Sequence, residues 1–183
     1  PAFSERRHSK QAAPGSGDWP GYRNDISRSG STAVKVAVSE TPKWSAHLGG
    51  KLTQPVVAGG MVYLASSEAN TVYALDSTTG DVKWQYVAGS TIDSSPTVHS
   101  GRVLFGCADG RVYCLDARSG QVAWRFTAAP EARQVCIHGR LQSTWPVHGS
   151  VIVSNNEVTF TAGRSSFLSG GLYFYRLNAT TGE

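Results

Sequence analysis

The residues of this chain that are capable of chemistry are few and scattered. Three cysteines, Cys107, Cys114 and Cys136, are never adjacent, and the five histidines stand at positions 8, 47, 99, 138 and 148. No histidine sits with a carboxylate at the spacing a zinc site uses. The acidic residues do not gather into the several oxygen ligands that calcium takes. A serine elbow and a phosphate-binding glycine loop are also missing from the sequence. No residue is therefore assigned a catalytic or metal-binding role. The densest grouping of polar side chains is PEARQVCIHGRLQST, which brings Arg133, His138 and Arg140 close in sequence to Trp145. Trp145 precedes the proline of TWPVH, where the comparable segments TQPVV and SSPTV carry Gln54 and Ser95. Trp145 with Arg140 and Asp93 beside it forms the candidate ligand-facing set. Trp145 can equally fill the gap left by a longer loop, and that is the simpler reading. Arg164, in the second insertion AGRSSFLSGG, is expected to be solvated.

The elements that would carry these residues follow from a repeat. VYALDSTTGDVKW (72–84) returns forty positions later as VYCLDARSGQVAW (112–124), and FYRLNATTGE restarts the phrase at the end of the chain. Trp44, Trp84 and Trp124 are spaced by the same interval and open the segments WSAHL, WQYVA and WRFTA. Alternation at period two marks each of these as a strand buried on one side. MVYLA, TVYAL, RVLFG and RVYCL are apolar on both faces and must be covered above and below. The lead-in to a proline adds a further short strand, so each unit holds four antiparallel strands. A four-stranded unit repeating at about forty residues is the signature of a propeller blade.

Within the repeated phrase, Asp76 is placed to accept hydrogen bonds from the backbone N–H groups just ahead, and Gly80 to end the turn in the left-handed conformation. Asn178 falls at the same turn position in the third copy, so the sequon Asn178-Ala179-Thr180 is read as structural before it is read as a glycosylation site. Asp109-Gly110 signals a hairpin. With those two residues as the loop, Cys107 faces Val112 and lies only diagonally from Cys114, which is poor geometry for a disulfide; free thiols are expected. The third unit is swollen by about ten residues between Trp124 and Pro146, and by about a dozen before Asn178, the kind of insertion that often carries function.

Bulk composition agrees with a globular chain. The 183 residues are 40% hydrophobic and 16% charged, enough apolar content for a core and too few charges for a disordered chain. The net charge of +4 is small, and Arg6, Arg7 and Lys10 contribute to it from the polar opening PAFSERRHSKQAAPGSG. Residues 1–17 are read as a flexible tail and 18–183 as the repeat region. No basic and aromatic cluster follows the tail, so nucleic acid is not expected as a partner. No apolar run of 18 residues exists to span a membrane as a helix. The chain opens on Pro1, which fits either signal cleavage or truncation.

Residues Ala74 to Trp84, ALDSTTGDVKW, match the tryptophan-docking motif A-x-D-x-x-T-G-x-x-x-W and so resemble the pyrroloquinoline-quinone-like, quinoprotein-type β-propeller repeat family, which includes BamB-type propellers. The copy at 114–124 departs with Cys114 for Ala and Ser119 for Thr, and the third copy has Asn178 for Asp. DWPGYRNDISRSG (18–30) resembles the segment before the first blade in such proteins. The resemblance implies an all-β, incomplete propeller, an arc of about three four-stranded antiparallel blades, with Trp84, Trp124 and Trp44 packed between neighbouring blades. It implies a binding or scaffolding fragment without catalysis of its own. The alternative is a fragment of a pyrroloquinoline-quinone-dependent dehydrogenase whose cofactor and calcium ligands lie in blades outside this chain. Such dehydrogenases hold the quinone with calcium, adjacent cysteines and a carboxylate base, none of which can be placed here. The expected partner is a protein or further blades of the same parent. Open blade edges, and the apolar face expected on the last sheet, invite self-association. The family further implies a periplasmic or cell-surface location in a bacterium.

Overall fold

The computed structural model of the chain describes residue 15, residues 17–35 and residues 39–183. Most of the tail assigned to residues 1–17 lies outside that description. Thirteen strands are present among the described residues and no helix. The first sheet contains β1 (Val56–Ala58), β2 (Met61–Ser66), β3 (Thr71–Asp76) and β4 (Val82–Val87) in that order. The second repeats the pattern with β5 (Thr97–His99), β6 (Arg102–Cys107), β7 (Arg111–Asp116) and β8 (Val122–Thr127). A two-stranded hairpin follows, β9 (Gln134–Ile137) with β10 (Arg140–Ser143). The third sheet has three strands, β11 (Ile152–Ser154), β12 (Glu157–Ala162) and β13 (Tyr173–Asn178). All pairings are antiparallel between neighbours. The sheets stack as an open arc of propeller blades.

Two apolar layers hold the arc together. Tyr63, Ala65, Val72, Ala74 and Trp84 of the first blade meet Val103, Phe105, Cys107, Tyr113 and Leu115 of the second. Leu104, Val112 and Cys114, on the opposite face of the second blade, meet Val153, Val158, Phe160, Ala162 and Leu177 of the third. The middle blade is therefore covered on both sides, which explains its uninterrupted apolar strands. Phe105 and Tyr113 stack at 5.2 Å, and Phe160 and Tyr175 do the same at 5.3 Å in the third blade.

The recurring indole has one geometry at three places. Trp84 Nε1 donates to Ala117 O at 3.0 Å, Trp124 Nε1 to Ala179 O at 3.0 Å, and Trp44 Nε1 to Ser77 O at 3.0 Å. Each ring also covers the glycine that closes the accepting turn. A Cβ built on Gly120 would lie 2.7 Å from Trp84 Cδ2, one on Gly182 2.7 Å from Trp124 Cδ2, and one on Gly80 2.5 Å from Trp44 Cε3. Each turn is closed from below by its carboxylate or amide. Asp76 Oδ1 accepts from Thr78 N at 2.8 Å and Thr79 N at 3.2 Å, Asp116 Oδ1 from Arg118 N and Ser119 N, and Asn178 Oδ1 from Thr180 N and Thr181 N. The amides ahead of it hold the Asp76 carboxyl below the usual carboxylate range. The amide oxygen of Asn178 does the same structural work without the charge.

Four expectations need correction. WSAHL is not a strand: residues 44–48 are extended, with Ser45 and His47 exposed and Trp44, Ala46 and Leu48 half-buried, but no described strand lies beside them to complete a ladder. The Asp109-Gly110 hairpin has a three-residue loop, Ala108 to Gly110, because Gly110 N bonds Cys107 O at 3.1 Å. Cys107 consequently faces Arg111, not Val112, and Cys114 faces Leu104. The two thiols point into different apolar layers, and all three cysteines are free. The proline lead-in of the third blade is displaced, since β11 starts at Ile152; Val151 takes the place of Pro55 and Pro96, and Ser150 the place of Gln54 and Ser95. Finally, the outward face of the last sheet is mixed rather than apolar. Strand alternation turns Ile152, Thr159, Thr161, Phe174 and Arg176 away from the second blade. Arg176 there pairs with Glu157 at 2.6 Å.

Candidate axial site

The inner ends of the blades are crossed by residues 18–30. Trp19 exchanges both backbone hydrogen bonds with Val57 of β1, at 2.7 and 2.9 Å. One residue on, Pro20 O accepts from Val98 N of β5 at 2.7 Å. Arg28 then reaches the third blade, where its Nη2 donates to Ser150 O at 3.1 Å. Proline at position 20 suits this path, since it has no N–H to leave unpaired while its carbonyl is used. The turn between the contacts is built locally: Asp25 accepts from Ser29 N at 3.0 Å and from Ser29 Oγ at 2.5 Å, and Arg28 lies 5.3 Å over the Tyr22 ring. The segment is thus a strap fastened to all three blades.

Two clefts flank the strap. The larger, about 360 Å³, runs between the strap and the inner strands and is lined by Tyr22, Ile26, Val98, His99, Val151 and Val153 among others. His99 makes no side-chain hydrogen bond among the described residues, and burial lowers its pKa. The smaller cleft, about 340 Å³, gathers the lead-ins of all three blades, with Arg28, Thr53, Gln54, Asp93, Ser94 and Ser95 on its wall. Ser95 Oγ donates to Gln54 O at 2.9 Å and Thr97 Oγ1 to Val151 O at 2.8 Å, fixing neighbouring lead-ins to each other. Ser94 Oγ is buried without a hydrogen-bond partner, as is Thr91 Oγ1.

The three candidate residues from the sequence do not form one group. Asp93 lines the smaller cleft and is bound by His148 Nδ1 across the gap between the second and third blades. Burial pushes the Asp93 carboxyl up, but the His148 hydrogen bond and charge outweigh it, and the net shift is downward. Trp145 is only 3% exposed; its Nε1 donates to Ser169 O at 2.6 Å and Arg133 lies 5.0 Å over its ring. Arg140 is turned away from both, toward the first blade, where its Nη1 donates to Ser67 O at 2.9 Å and Asn70 Oδ1 at 3.2 Å. Arg164 is not simply solvated: its Nη2 donates to Gln142 Oε1 at 2.5 Å and Ser143 O at 3.2 Å.

Sequence reasoning missed two features. The strap residues Tyr22 and Arg28 were visible only as a lead-in, since nothing in their types shows that they cross three blades. The β9–β10 hairpin did have a local signal: QVCI and RLQS flank His138-Gly139, and both turn residues have positive φ (48° and 74°), as a two-residue type I′ turn requires. Histidine at the first turn position obscured it.

Neither cleft carries the ligand set that calcium and a quinone would take. Asp93 is the single carboxylate on the smaller cleft and is already tied to His148. Among the described residues no group of three or more His, Cys, Asp or Glu side chains is placed to hold a metal. The residues present do not fit a calcium-bound quinone, which takes several oxygen ligands.

Open stacked blades, the indole clasps and an axial strap define the class: a β-propeller repeat protein. The chain matches the family model described as outer membrane protein assembly factor BamB over residues 10–183, and it belongs to that family. No curated protein matches it. Among solved structures, it is similar to a quinohemoprotein alcohol dehydrogenase from Comamonas testosteroni, with TM-score 0.71 and 22% identity over 91% of this chain. A quinohemoprotein alcohol dehydrogenase from Pseudomonas putida matches with TM-score 0.70 and 22% identity over 92% of this chain. The chain spans 26% of the length of each of these enzymes. BamB from Moraxella catarrhalis matches with TM-score 0.54 and 20% identity, over 77% of this chain and 38% of that one. No helix among the described residues is long and apolar enough to cross a membrane.

Proposed function

We propose that this chain is a non-catalytic binding or scaffolding element of a quinoprotein-like propeller, and that its binding surface is the axial cleft between the strap and the blade lead-ins. The observation that carries this reading is the buried, unpartnered hydroxyl of Ser94 on the wall of the smaller cleft. A buried hydroxyl without a partner is costly, and an incoming acceptor or donor would satisfy it. The partner is a protein, or a further part of the same parent chain, in keeping with a family described by an assembly factor. A periplasmic or cell-surface location in a bacterium belongs to the same proposal.

The second reading is a portion of a quinone-dependent dehydrogenase whose cofactor ligands lie outside this chain; the resemblance to two such enzymes, of each of which this chain spans 26%, supports it. One titration separates the two. Pyrroloquinoline quinone with calcium is added to the chain and quenching of the five tryptophans is followed. The binding-element reading expects no response up to about millimolar concentration, whereas saturation at about micromolar or below would overturn it in favour of the enzyme. A positive test complements it: Gln54→Trp, which fills the smaller cleft, should abolish capture of any protein partner isolated on the unmodified chain.

A further inference from the structure

The loop between β12 and β13 has no counterpart in the other blades. At that position the first blade carries the four-residue turn Ser67 to Asn70 and the second the three residues Ala108 to Gly110, while the third carries ten, Gly163 to Leu172. At its apex Phe167 is 93% exposed and Leu168 66% exposed. A phenylalanine that accessible touches almost nothing of its own protein, so it stands proud of the surface instead of lining a groove. Leu172, and Leu141 on β10, are also largely exposed.

This exposure is not that of an untethered loop. Gly163 N bonds Pro146 O at 2.9 Å, and Arg164 ties the entry to Gln142 and Ser143. Ser169 O accepts the Trp145 indole N–H at 2.6 Å on the way out. Inside the apex, Gly171 N bonds Leu168 O at 3.0 Å and Phe167 N bonds Ser165 Oγ at 3.1 Å. A loop held at entry, apex and exit has its ordering entropy already spent, so its apolar tip is presented to whatever lies outside. The charge beside it has one dominant sign. Of the arginines in the two insertions of the third unit, 130–144 and 163–172, Arg140 is turned to the first blade, while Arg164 in the loop itself and Arg133 over Trp145 remain on this side, against one acid in the insertions, Glu131. Arg133 lies over the same indole that holds the loop.

We propose that residues 163–172 form a lipid-docking tip, in which Phe167 and Leu168 insert into the interfacial zone of a membrane bearing anionic headgroups and Arg133 lies at the headgroup level. A protruding apolar pair with Arg164 in the same loop and Arg133 over the indole that anchors it suits a lipid surface, because the pair needs no complementary pocket, only an apolar layer beneath charged heads. The inference is independent of the axial cleft and of what binds there.

Flotation of the full chain with vesicles tests it. Phosphatidylcholine vesicles containing about one-quarter phosphatidylglycerol should carry the protein upward, and pure phosphatidylcholine should carry much less. Phe167→Ser with Leu168→Ser should lower the partition by about tenfold or more. Val87→Ser removes from β4 an apolar side chain about as exposed as Leu168 and should leave the partition unchanged. A second measurement does not depend on the double variant folding: the indole introduced by Phe167→Trp should be quenched by brominated acyl chains. Failure of the unmodified chain to float, equal flotation of the double variant, or an unquenched indole at 167 would each overturn the proposal, the first in favour of a protein as the occupant of the tip.

Discussion

Gly120→Ala tests the indole clasp that links one blade to the next. Gly120 has φ +69°, and a Cβ there would lie 2.7 Å from Trp84 Cδ2 and 2.8 Å from Cε3. Two penalties add. Holding an L-residue in the left-handed region costs ~1–2 kcal/mol. Forcing a methyl into a packed contact costs a further ~1–3 kcal/mol, because Trp84 is 9% exposed and fixed at the other end by its bond to Ala117 O. The sum, ~2–5 kcal/mol, is a large share of the ~5–15 kcal/mol that stabilises an ordinary domain. Gly60→Ala is the matched control: its φ is +76°, but nothing lies within 4 Å of its Cβ. It carries the backbone penalty alone, and the gain from a stiffer unfolded chain is common to both variants. Urea titrations followed by tryptophan fluorescence and far-ultraviolet circular dichroism should therefore place Gly120→Ala below Gly60→Ala by about 1–3 kcal/mol. Trp84→Phe in the Gly120→Ala background should recover part of that difference, since the smaller ring vacates the contact. Equal stability of the two glycine variants would refute the idea that the indole is packed against the turn.

Three further outcomes are expected. Asp93 has its carboxyl held below the unfolded value of about 3.9, so its contribution is complete above that pH and is lost as pH falls through the lower folded value; urea midpoints measured down to about pH 3 should show the unmodified chain converging on Asp93→Asn, and an advantage that grew on acidification would contradict the pairing with His148. With a thiol reagent, the native chain should react at the exposed Cys136 only, while Cys107 and Cys114 react after unfolding, because burial pushes both thiols up, Cys114 to about 12; a second fast equivalent in the native state would show that the apolar layers open. Light scattering should detect only weak, concentration-dependent association, because the outward face of the third sheet mixes the exposed Phe174 with the Arg176–Glu157 pair, and Phe174→Ser should reduce it further; a tight oligomer would contradict the mixed character of that face.

The blades were legible in the sequence because their determinants are local and repeated. The Asp76, Asp116 and Asn178 turns, the glycine after each and the tryptophan spacing report hydrogen bonds made within a few residues, so they survive in one dimension. What was not legible depends on insertions and on long-range contacts. Trp145 read as the successor of Gln54 and Ser95 because a proline follows it; the extra residues before β11 shift the register so that Ser150 takes that place. Arg140 was grouped with Trp145 by proximity in the chain, yet the β9–β10 hairpin carries it back to a loop seventy residues earlier. Arg164 and Gln142 meet only because two separate insertions fold onto each other. The segment 44–48 alternates as a strand should, but a strand is defined by its neighbour, and alternation alone does not supply one.

Each indole joins a unit only to its successor: Trp44 to the turn at Gly80, Trp84 to that at Gly120, Trp124 to that at Gly182. A structure joined solely in this way would behave like a row of dominoes, able to lose its last member without troubling the first. The strap changes the accounting, since Trp19, Pro20 and Arg28 fasten the first, second and third units with one short stretch of backbone. A single cut between Gly21 and Arg28 would leave the first and second units clasped by Trp19 and Pro20 while loosening the third, which should then melt ahead of the other two.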